Sequence, residues 1–208
     1  MFVDVPVSPR TCVDVDRLEE LVVGHPGRRL VRFVLHGLRE GFAVGYAGLV
    51  TLGRTIPNRS AVLRESLVTA AILRELRAGF LCGPFRCGPF AQFHCSPLGA
   101  ADKPDGSARL ILDMSSPRGS SVNEGIDPAA FSVQYSSFDD ALVILRRLGR
   151  GAVMAKFDIR HVFRLCPVRV VDWPLLGFWW LDSYFFHVVL PFVRGLLRPF
   201  SIVFAQLL

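Results

Sequence analysis

Lysine, paired cysteine and long apolar runs are scarce in this 208-residue chain. Lysine occurs at Lys103 and Lys156 only, and every other basic residue is an arginine. The five cysteines form no Cys-x-x-Cys pair, which argues against a zinc knuckle and favours free thiols in a reducing compartment. Asp182, Arg194 and Arg198 interrupt the hydrophobic C-terminal third, so no run reaches the ~20 apolar residues that span a membrane.

The N-terminal residues MFVDVPVSPR lack the basic-then-apolar order of a signal peptide. We therefore expect an intracellular protein, in the cytoplasm or nucleus, that is not secreted and has no membrane partner. Hydrophobic residues make up 51% of the chain, which argues against disorder and predicts a packed core. The 24 basic and 18 acidic residues leave a net charge of +6, which suits a polyanionic partner.

The first 79 residues have the pattern of a helical packing module. Asp14 or Asp16 can cap a helix through RLEELVV, and Ser60 can cap a later one through SAVLRESLVTAAILRELRAGF, which Gly79 would end. Between them, RRLVRFVLHGLREGF repeats apolar residues at the spacing of one helix face. The predicted face consists of Leu30, Phe33, Val34, Gly37 and Leu38.

Extended segments and hairpins are predicted after residue 80. Two Gly-Pro-Phe repeats in FLCGPFRCGPFAQFHCSPLG indicate a turning connection, because proline fixes φ and glycine frees it. Pro104, Asp105 and Gly106 mark the tip of a hairpin through SPLGAADKPDGSARLILDMSS. PLLGFWW and YFFHVVL predict a second, aromatic hairpin.

Three further elements are expected in the second half of the chain. SSFDDALVILRRLG predicts a helix that Ser137 caps and Gly149 ends. AVMAKFDI, residues 152–159, is a candidate buried strand. Another helix is expected to start within residues 190–204.

Lys103 and Arg109 flank the tip of the first predicted hairpin. An ammonium and a guanidinium on one loop can close over a triphosphate, the first as a point charge and the second as a fork. The alternative is a pair of solvated basic residues on a surface hairpin.

Asp158 ends the candidate buried strand. A carboxylate in that place can hold Mg²⁺, which prefers oxygen ligands. Local pattern alone favours a different role for Asp158, as the N-cap of a helix through IRHVFRL. Phe163, about one helical turn further on, would lie near whatever binds the carboxylate, or pack into the core.

From Ser96 to about Leu190 the order of these phrases resembles the reverse transcriptases of retrotransposons, and most of all the DIRS-like group, which integrates by a tyrosine recombinase. The phrases that carry the resemblance are SPLGAADKPDGSARLILDMSSPRGSSVNEGIDP, FSVQYSSFDDA, LGRGAVMAKFDIRHVFRLCPVRVVDWPLLGF and LPF. Upstream, HPGRRLVRFVLHGLREGFAVGYAG resembles the connecting region that precedes the polymerase of that group.

The resemblance implies a role for each candidate residue. Asp158 corresponds to the first metal-binding aspartate of the palm, and Ile159 supplies a backbone carbonyl to the same Mg²⁺. Lys103 and Arg109 correspond to the fingers residues that clamp the incoming triphosphate. Phe163 corresponds to the aromatic gate that excludes a ribose 2′-hydroxyl. Phe192 lies where the family places a side chain against the nascent base pair.

The implied fold is α+β, with N-terminal helices followed by polymerase fingers and a partial palm that has an incomplete antiparallel sheet. Residues 1–79 would form the helical connecting region and residues 80–208 the fingers and partial palm. The implied partners are an RNA or DNA template-primer and deoxynucleotides.

The family's Tyr-x-Asp-Asp motif, which brings the other catalytic carboxylates, does not occur in the 208 residues. We therefore expect a truncated reverse-transcriptase fragment that is inactive alone, since one aspartate cannot hold two metal ions at catalytic spacing. Two alternatives remain open: a non-catalytic, basic nucleic-acid-binding remnant, and a translated relic without function.

Overall fold

The computed structural model describes residues 8–50, 53, 55–129, 137–155 and 162–193. The chain forms helices and two antiparallel sheets over these ranges, so the expected α+β class is confirmed. The helices are Val15–Leu21 (α1), Arg28–Glu40 (α2), Arg59–Val62 (α3), Glu65–Arg77 (α4), Phe138–Leu148 (α5) and Val162–Leu165 (α6). The strands are Leu81–Phe85 (β1), Leu98–Asp102 (β2), Ala108–Leu112 (β3), Gly177–Trp180 (β4) and Ser183–His187 (β5). Short 3-10 turns span Val122–Gly125 and Val170–Leu175.

Helices α1 and α2 follow the sequence pattern closely. Asp14 is the N-cap of α1, where its carboxylate accepts a hydrogen bond from the Arg17 amide at 3.0 Å. One stripe of α2 is buried, as predicted for three of the five residues, but Phe33 is 47% exposed. The Phe33 ring instead packs at the edge of the core against Phe42, with centroids 5.6 Å apart. The buried stripe is Val31, Val34, Leu35, Gly37 and Leu38.

The helix predicted to begin at Ser60 is divided in two. Asn58 occupies the N-cap position of α3, so the prediction of Ser60 as the cap is wrong. The Ser60 hydroxyl accepts a hydrogen bond from the Ala100 amide at 3.2 Å instead. Arg64 separates α3 from α4, with its backbone out of the helical region and its guanidinium on both carboxylate oxygens of Asp102 at 2.6 and 2.7 Å. A contact with a distant strand therefore accompanies the break.

Strands β2 and β3 form the first predicted hairpin, in register from Leu98↔Leu112 to Asp102↔Ala108. Its tip is closed by the hydrogen bond from the Lys103 amide to the Ser107 carbonyl at 2.9 Å. Gly106 adopts φ +75°, the left-handed conformation for which glycine was predicted at the tip. The prediction of this hairpin is confirmed.

The second sheet has the strand order β1-β5-β4. Strands β4 and β5 form the predicted aromatic hairpin, and β1 pairs with β5 within the segment predicted to be extended. Trp173, Phe178 and Phe186 are almost fully buried at its core. Among the described residues, no helix combines the length and apolar character needed to cross a membrane.

Helix α5 begins and ends where the sequence predicts. Ser137 and Asp140 form a reciprocal capping box, and Gly149 follows the helix with φ +76°. A buried strand was predicted over residues 152–159, of which the structure describes 152–155. These four residues form no strand, and Val153 is 92% exposed. No described strand pairs with 152–155, and an extended segment without a partner leaves its backbone groups to water.

Residues 190–193, where a further helix was expected to start, form no helix. The Phe192 carbonyl accepts a hydrogen bond from the Leu112 amide at 3.1 Å, and Val193 forms a parallel bridge with the same residue. This pairing with the end of β3 draws the segment away from a helical conformation. Residues 194–204 of the predicted helix lie outside the described ranges.

Candidate nucleotide-binding cavity

A cavity of about 440 Å³ lies between α4, the β2–β3 hairpin, α6 and Phe192. Helix α4 contributes Ala71, Arg74 and Glu75 at the spacing of one helix face, and its C-cap Ala78 continues that face. The small side chains of the two alanines leave space for the cavity. The lining residues are Ala71, Arg74, Glu75, Ala78, Phe80, Lys103, Ala108, Arg109, Leu110, Val162, Phe163, Arg164 and Phe192.

Three basic residues of the lining are not fully buried. Lys103 is half-buried at the end of β2, whereas Arg109 on β3 and Arg74 on α4 are exposed. The Arg109 guanidinium lies over the Phe192 ring, 4.7 Å from its centroid, in a cation–π contact. The two basic residues predicted to act together therefore line the same cavity.

Phe163 and Phe192 form an aromatic wall. Both rings are half-buried, and they meet edge to face with centroids 5.9 Å apart and an interplanar angle of 86°. Phe163 comes from α6, and Phe192 from the segment that is hydrogen-bonded to the end of β3. The structure thus brings together all four of the predicted site residues that it describes.

Sequence reasoning missed Arg164, which lines the cavity from within the core. Its Nη2 atom lies 2.7 Å from Glu75 Oε2, and its Nη1 atom lies 3.3 Å from both the Leu190 carbonyl oxygen and His187 Nδ1. Burial lowers the pKa of Arg164, and the Glu75 carboxylate opposes that shift. A basic residue in the otherwise apolar phrase VFRLCPV was the available signal.

The environment of His187 shows how the buried cation is accommodated. Burial first, and then the neighbouring Arg164 guanidinium, hold the pKa of His187 well below 6.5. The imidazole is therefore neutral near pH 7 and can accept a hydrogen bond at Nδ1 from the guanidinium. The Glu75 carboxylate balances the buried charge as an ion pair, and the neutral imidazole adds a hydrogen-bond acceptor.

The predicted metal ligands Asp158 and Ile159 lie outside the described residues. Among the residues that are described, no three His, Cys, Asp or Glu side chains come together in a way that could hold a metal ion. The charged side chains that line the cavity are cationic except for Glu75, which forms an ion pair with Arg164. Mg²⁺ needs oxygen ligands, so these lining residues do not fit the ion by themselves.

The cavity combines two kinds of surface. Ammonium and guanidinium groups bind phosphate oxygens by charge-assisted hydrogen bonds, and aromatic rings supply flat apolar contact for a sugar or a base. An apolar pocket with a few convergent polar groups is the usual form of a small-molecule site. This arrangement suits a phosphorylated ligand that carries rings.

No protein-family model matches the chain, and no curated protein matches it. Solved structures do match it. The native protease-reverse transcriptase of prototype foamy virus has a TM-score of 0.52 at 16% identity, over 99% of this chain and 28% of that one. The foamy viral protease-reverse transcriptase dRH in complex with ds DNA has a TM-score of 0.51 at 17% identity, over 99% of this chain and 36% of that one.

At these identities the likeness shows the fold alone. The chain has the fold of part of a reverse transcriptase, and it spans 28% of the length of the first of these proteins. The mixed helices and small antiparallel sheets described above are the shared architecture.

Proposed function

We propose that the chain is the fingers and part of the palm of an RNA-directed DNA polymerase from a DIRS-like retrotransposon, and that its cavity takes an incoming deoxynucleoside triphosphate. One observation carries the proposal: Lys103, Arg109, Phe163 and Phe192, named from the sequence, line a single cavity. They come from three separate stretches of the chain, so only the fold brings them into one cavity.

The contacts support a division of roles. Lys103 and Arg109 would bind the triphosphate, and the contact of Arg109 with Phe192 would keep the guanidinium at the cavity wall. Phe163 would face the sugar and exclude a 2′-hydroxyl by its bulk. Phe192 would lie against the nascent base pair.

Mg²⁺ is the cofactor that we propose for an intact relative. Asp158 and the backbone carbonyl of Ile159 would supply oxygen ligands, and the ion would neutralise charge on the phosphates when bound. The family's Tyr-x-Asp-Asp motif does not occur in the 208 residues. We therefore propose that this polypeptide alone binds nucleotide without extending a primer.

The test is the affinity of the whole chain for dATP, measured by titration calorimetry. Lys103→Gln and Arg109→Gln should each weaken binding about tenfold or more, because hydrogen bonds to charged groups contribute ~1.5–3 kcal/mol. Arg32→Gln is the matched control, since Arg32 is exposed on α2 and does not line the cavity. Absence of dATP binding, or an equal loss in the control, would contradict the proposal.

A second candidate function is non-catalytic binding of nucleic acid. Arg146, Arg147 and Arg150 favour it, because they are exposed together at the C-terminal end of α5. Arginines in such a cluster can contact successive phosphates without reading sequence. The two candidates differ in whether the cavity residues are required.

A further inference from the structure

Arg164 connects three separate elements behind the aromatic wall. Its Nη2 atom contacts Glu75 of α4 at 2.7 Å, and its Nη1 atom contacts His187 of β5 and the Leu190 carbonyl at 3.3 Å. Its side chain is 10% exposed and that of Glu75 is 21% exposed. The guanidinium also lies over the Phe80 ring, 5.7 Å from its centroid.

These contacts lie next to both rings of the wall. Phe163 directly precedes Arg164 in α6, and Leu190 lies two residues before Phe192. Helix α6 has only 4 residues, too few to be stable without tertiary contacts. The orientation of Phe163 therefore depends on what anchors its neighbours. The Thr11 hydroxyl donates a hydrogen bond to the Leu165 carbonyl and the Leu190 amide donates one to the Cys166 carbonyl, both at 2.9 Å, and Arg164 adds the contacts that reach α4 and β5.

We propose that Arg164 is a positioning residue, which through Glu75 and the Leu190 carbonyl holds Phe163 and Phe192 in the edge-to-face arrangement that discriminates deoxyribose from ribose. This inference rests on the proposed function of the cavity. Exclusion of a single hydroxyl requires the ring to be held closely, since a displacement of ~1 Å can change a rate or affinity by up to ~100-fold.

Stability alone does not require an ion pair at this place. A buried pair can often be replaced by apolar side chains of similar volume with little loss of stability. An unbranched apolar side chain, however, packs in several directions, whereas the planar guanidinium fixes three partners at once. The double variant Glu75→Met/Arg164→Met therefore separates stability from positioning.

The experiment has two readouts on the whole chain. The first is the nuclear Overhauser contact between the Phe163 and Phe192 rings without nucleotide, and the second is the ratio of dATP to ATP affinity. In the double variant the contact should weaken, and the ratio should fall about tenfold while cooperative melting persists. Arg164→Lys should show the same changes in smaller degree, since it keeps the charge but loses the fork.

Arg169→Met is the control. It removes another ion pair, with Asp172 at 3.0 Å, from a residue that does not line the cavity. The ring contact and the affinity ratio should both stay as in the parent chain. If the double variant does not fold, Arg164→Lys decides the question with the same two readouts.

The outcomes distinguish the two proposals. An unchanged ring contact in folded variants overturns the positioning role, whether or not dATP binds. A changed ring contact with an unchanged dATP to ATP ratio also overturns it, because the rings would then not set discrimination. A parent chain that binds no dATP contradicts the proposed function, while the ring contact still reports whether Arg164 positions the wall.

Discussion

Phe163 is a half-buried ring whose edge meets Phe192 at the cavity wall. Its spacing of about one helical turn from Asp158 predicted that it lies near the ligand of that carboxylate. Packing in the core was the alternative role. Its presence in the cavity lining fits a contact with ligand, although core neighbours also surround it. Substitution of this single side chain distinguishes the two roles.

Phe163→Ala should lower the ratio of dATP to ATP affinity on the order of tenfold, because the smaller side chain leaves room for the 2′-hydroxyl. Parallel calorimetric titrations with the two nucleotides measure the ratio. Phe138→Ala is the control, since Phe138 is 79% exposed on α5. A lower melting temperature with an unchanged ratio would assign Phe163 to core packing alone.

The cysteines divide into two groups by burial. Burial raises the pKa of each of the three thiols of Cys82, Cys95 and Cys166 to about 12. Cys12 and Cys87 are exposed. Because the thiolate is the reactive form, the buried group should resist modification near neutral pH.

With a disulfide reagent at pH ~8, two thiols per chain should react rapidly and three only after denaturation. Absorbance of the released thiol measures both phases. Replacement of Cys12 and Cys87 by serine should remove the rapid phase. A third rapid thiol in the native parent would contradict the core described here.

The β4–β5 hairpin turns through two residues that are not glycine. Leu181 and Asp182 have φ of 43° and 58°, in the left-handed region that favours glycine and asparagine. For an ordinary residue this conformation costs ~1–2 kcal/mol. Residues that favour positive φ at these two positions would therefore make the folded chain more stable.

The double substitution Leu181→Asn/Asp182→Gly should raise the free energy of unfolding by about 1 kcal/mol, because it supplies the residues preferred in this turn. Urea denaturation followed by circular dichroism measures the change. Leu181→Ala keeps the Cβ atom and should leave stability within ~0.5 kcal/mol. Equal stability of all three chains would show that the turn is unstrained.

Helix α5 depends on its cap because no residue of it is buried. The Asp140 carboxylate accepts hydrogen bonds from the Ser137 amide at 2.7 Å and from its hydroxyl at 2.8 Å. These bonds hold the pKa of Asp140 below its usual 3.8, the amide contributing most. A lowered pKa means that the cap stabilises the helix above 3.8 and that this contribution is lost as the pH falls through the lowered value.

The helical Cα chemical shifts of α5 should therefore decrease as the pH is lowered from 3.8 towards the folded-state pKa of Asp140. Nuclear magnetic resonance at a series of pH values measures this. Asp140→Asn should flatten the dependence, and Asp139→Asn, one position away, should retain it. A dependence that survives Asp140→Asn would place its origin elsewhere.

Local signals in the sequence predicted both hairpins and the limits of α5. Pro104 and Gly106 determine a turn, and Ser137 with Gly149 brackets a helix, because each acts on the backbone within a few residues. The break at Arg64 and the role of Arg164 were missed. Both depend on partners far along the chain, and no local pattern contains that information.

The sequence predicted those site residues that stand in phrases resembling the reverse transcriptases. Of these, Lys103, Arg109, Phe163 and Phe192 line one cavity. Glu75 belongs to the region that was predicted to be only a packing module, because an acidic residue on an amphipathic helix usually faces water. Its burial against Arg164 follows from the fold and not from the helix pattern.

At the scale of the whole molecule, the net charge of +6 leads us to expect that binding of nucleic acid, the second candidate function, depends on salt through the phosphates that arginines contact. Binding of an RNA–DNA hybrid should weaken about tenfold or more between low and physiological salt, through release of counterions. Fluorescence anisotropy measures it. The slope against salt counts the phosphates contacted.

The Lys103→Gln/Arg109→Gln chain is the informative comparison in that experiment. If it loses dATP but keeps the hybrid, then the two ligands bind different surfaces and the cavity is the nucleotide site. Binding that does not change with salt would contradict an interface made by arginines. Hybrid binding without any dATP binding would favour the non-catalytic candidate.

The cavity draws its walls from four stretches of chain, near residues 71–80, 103–110, 162–164 and 192. Such a space is created only by closure of long loops, and a partly assembled chain does not contain it. Binding of a ligand in the cavity would therefore report that folding is complete. During refolding the ligand should bind only after the local hairpins and helices have formed. Once bound, it should stabilise the contacts among all four stretches together.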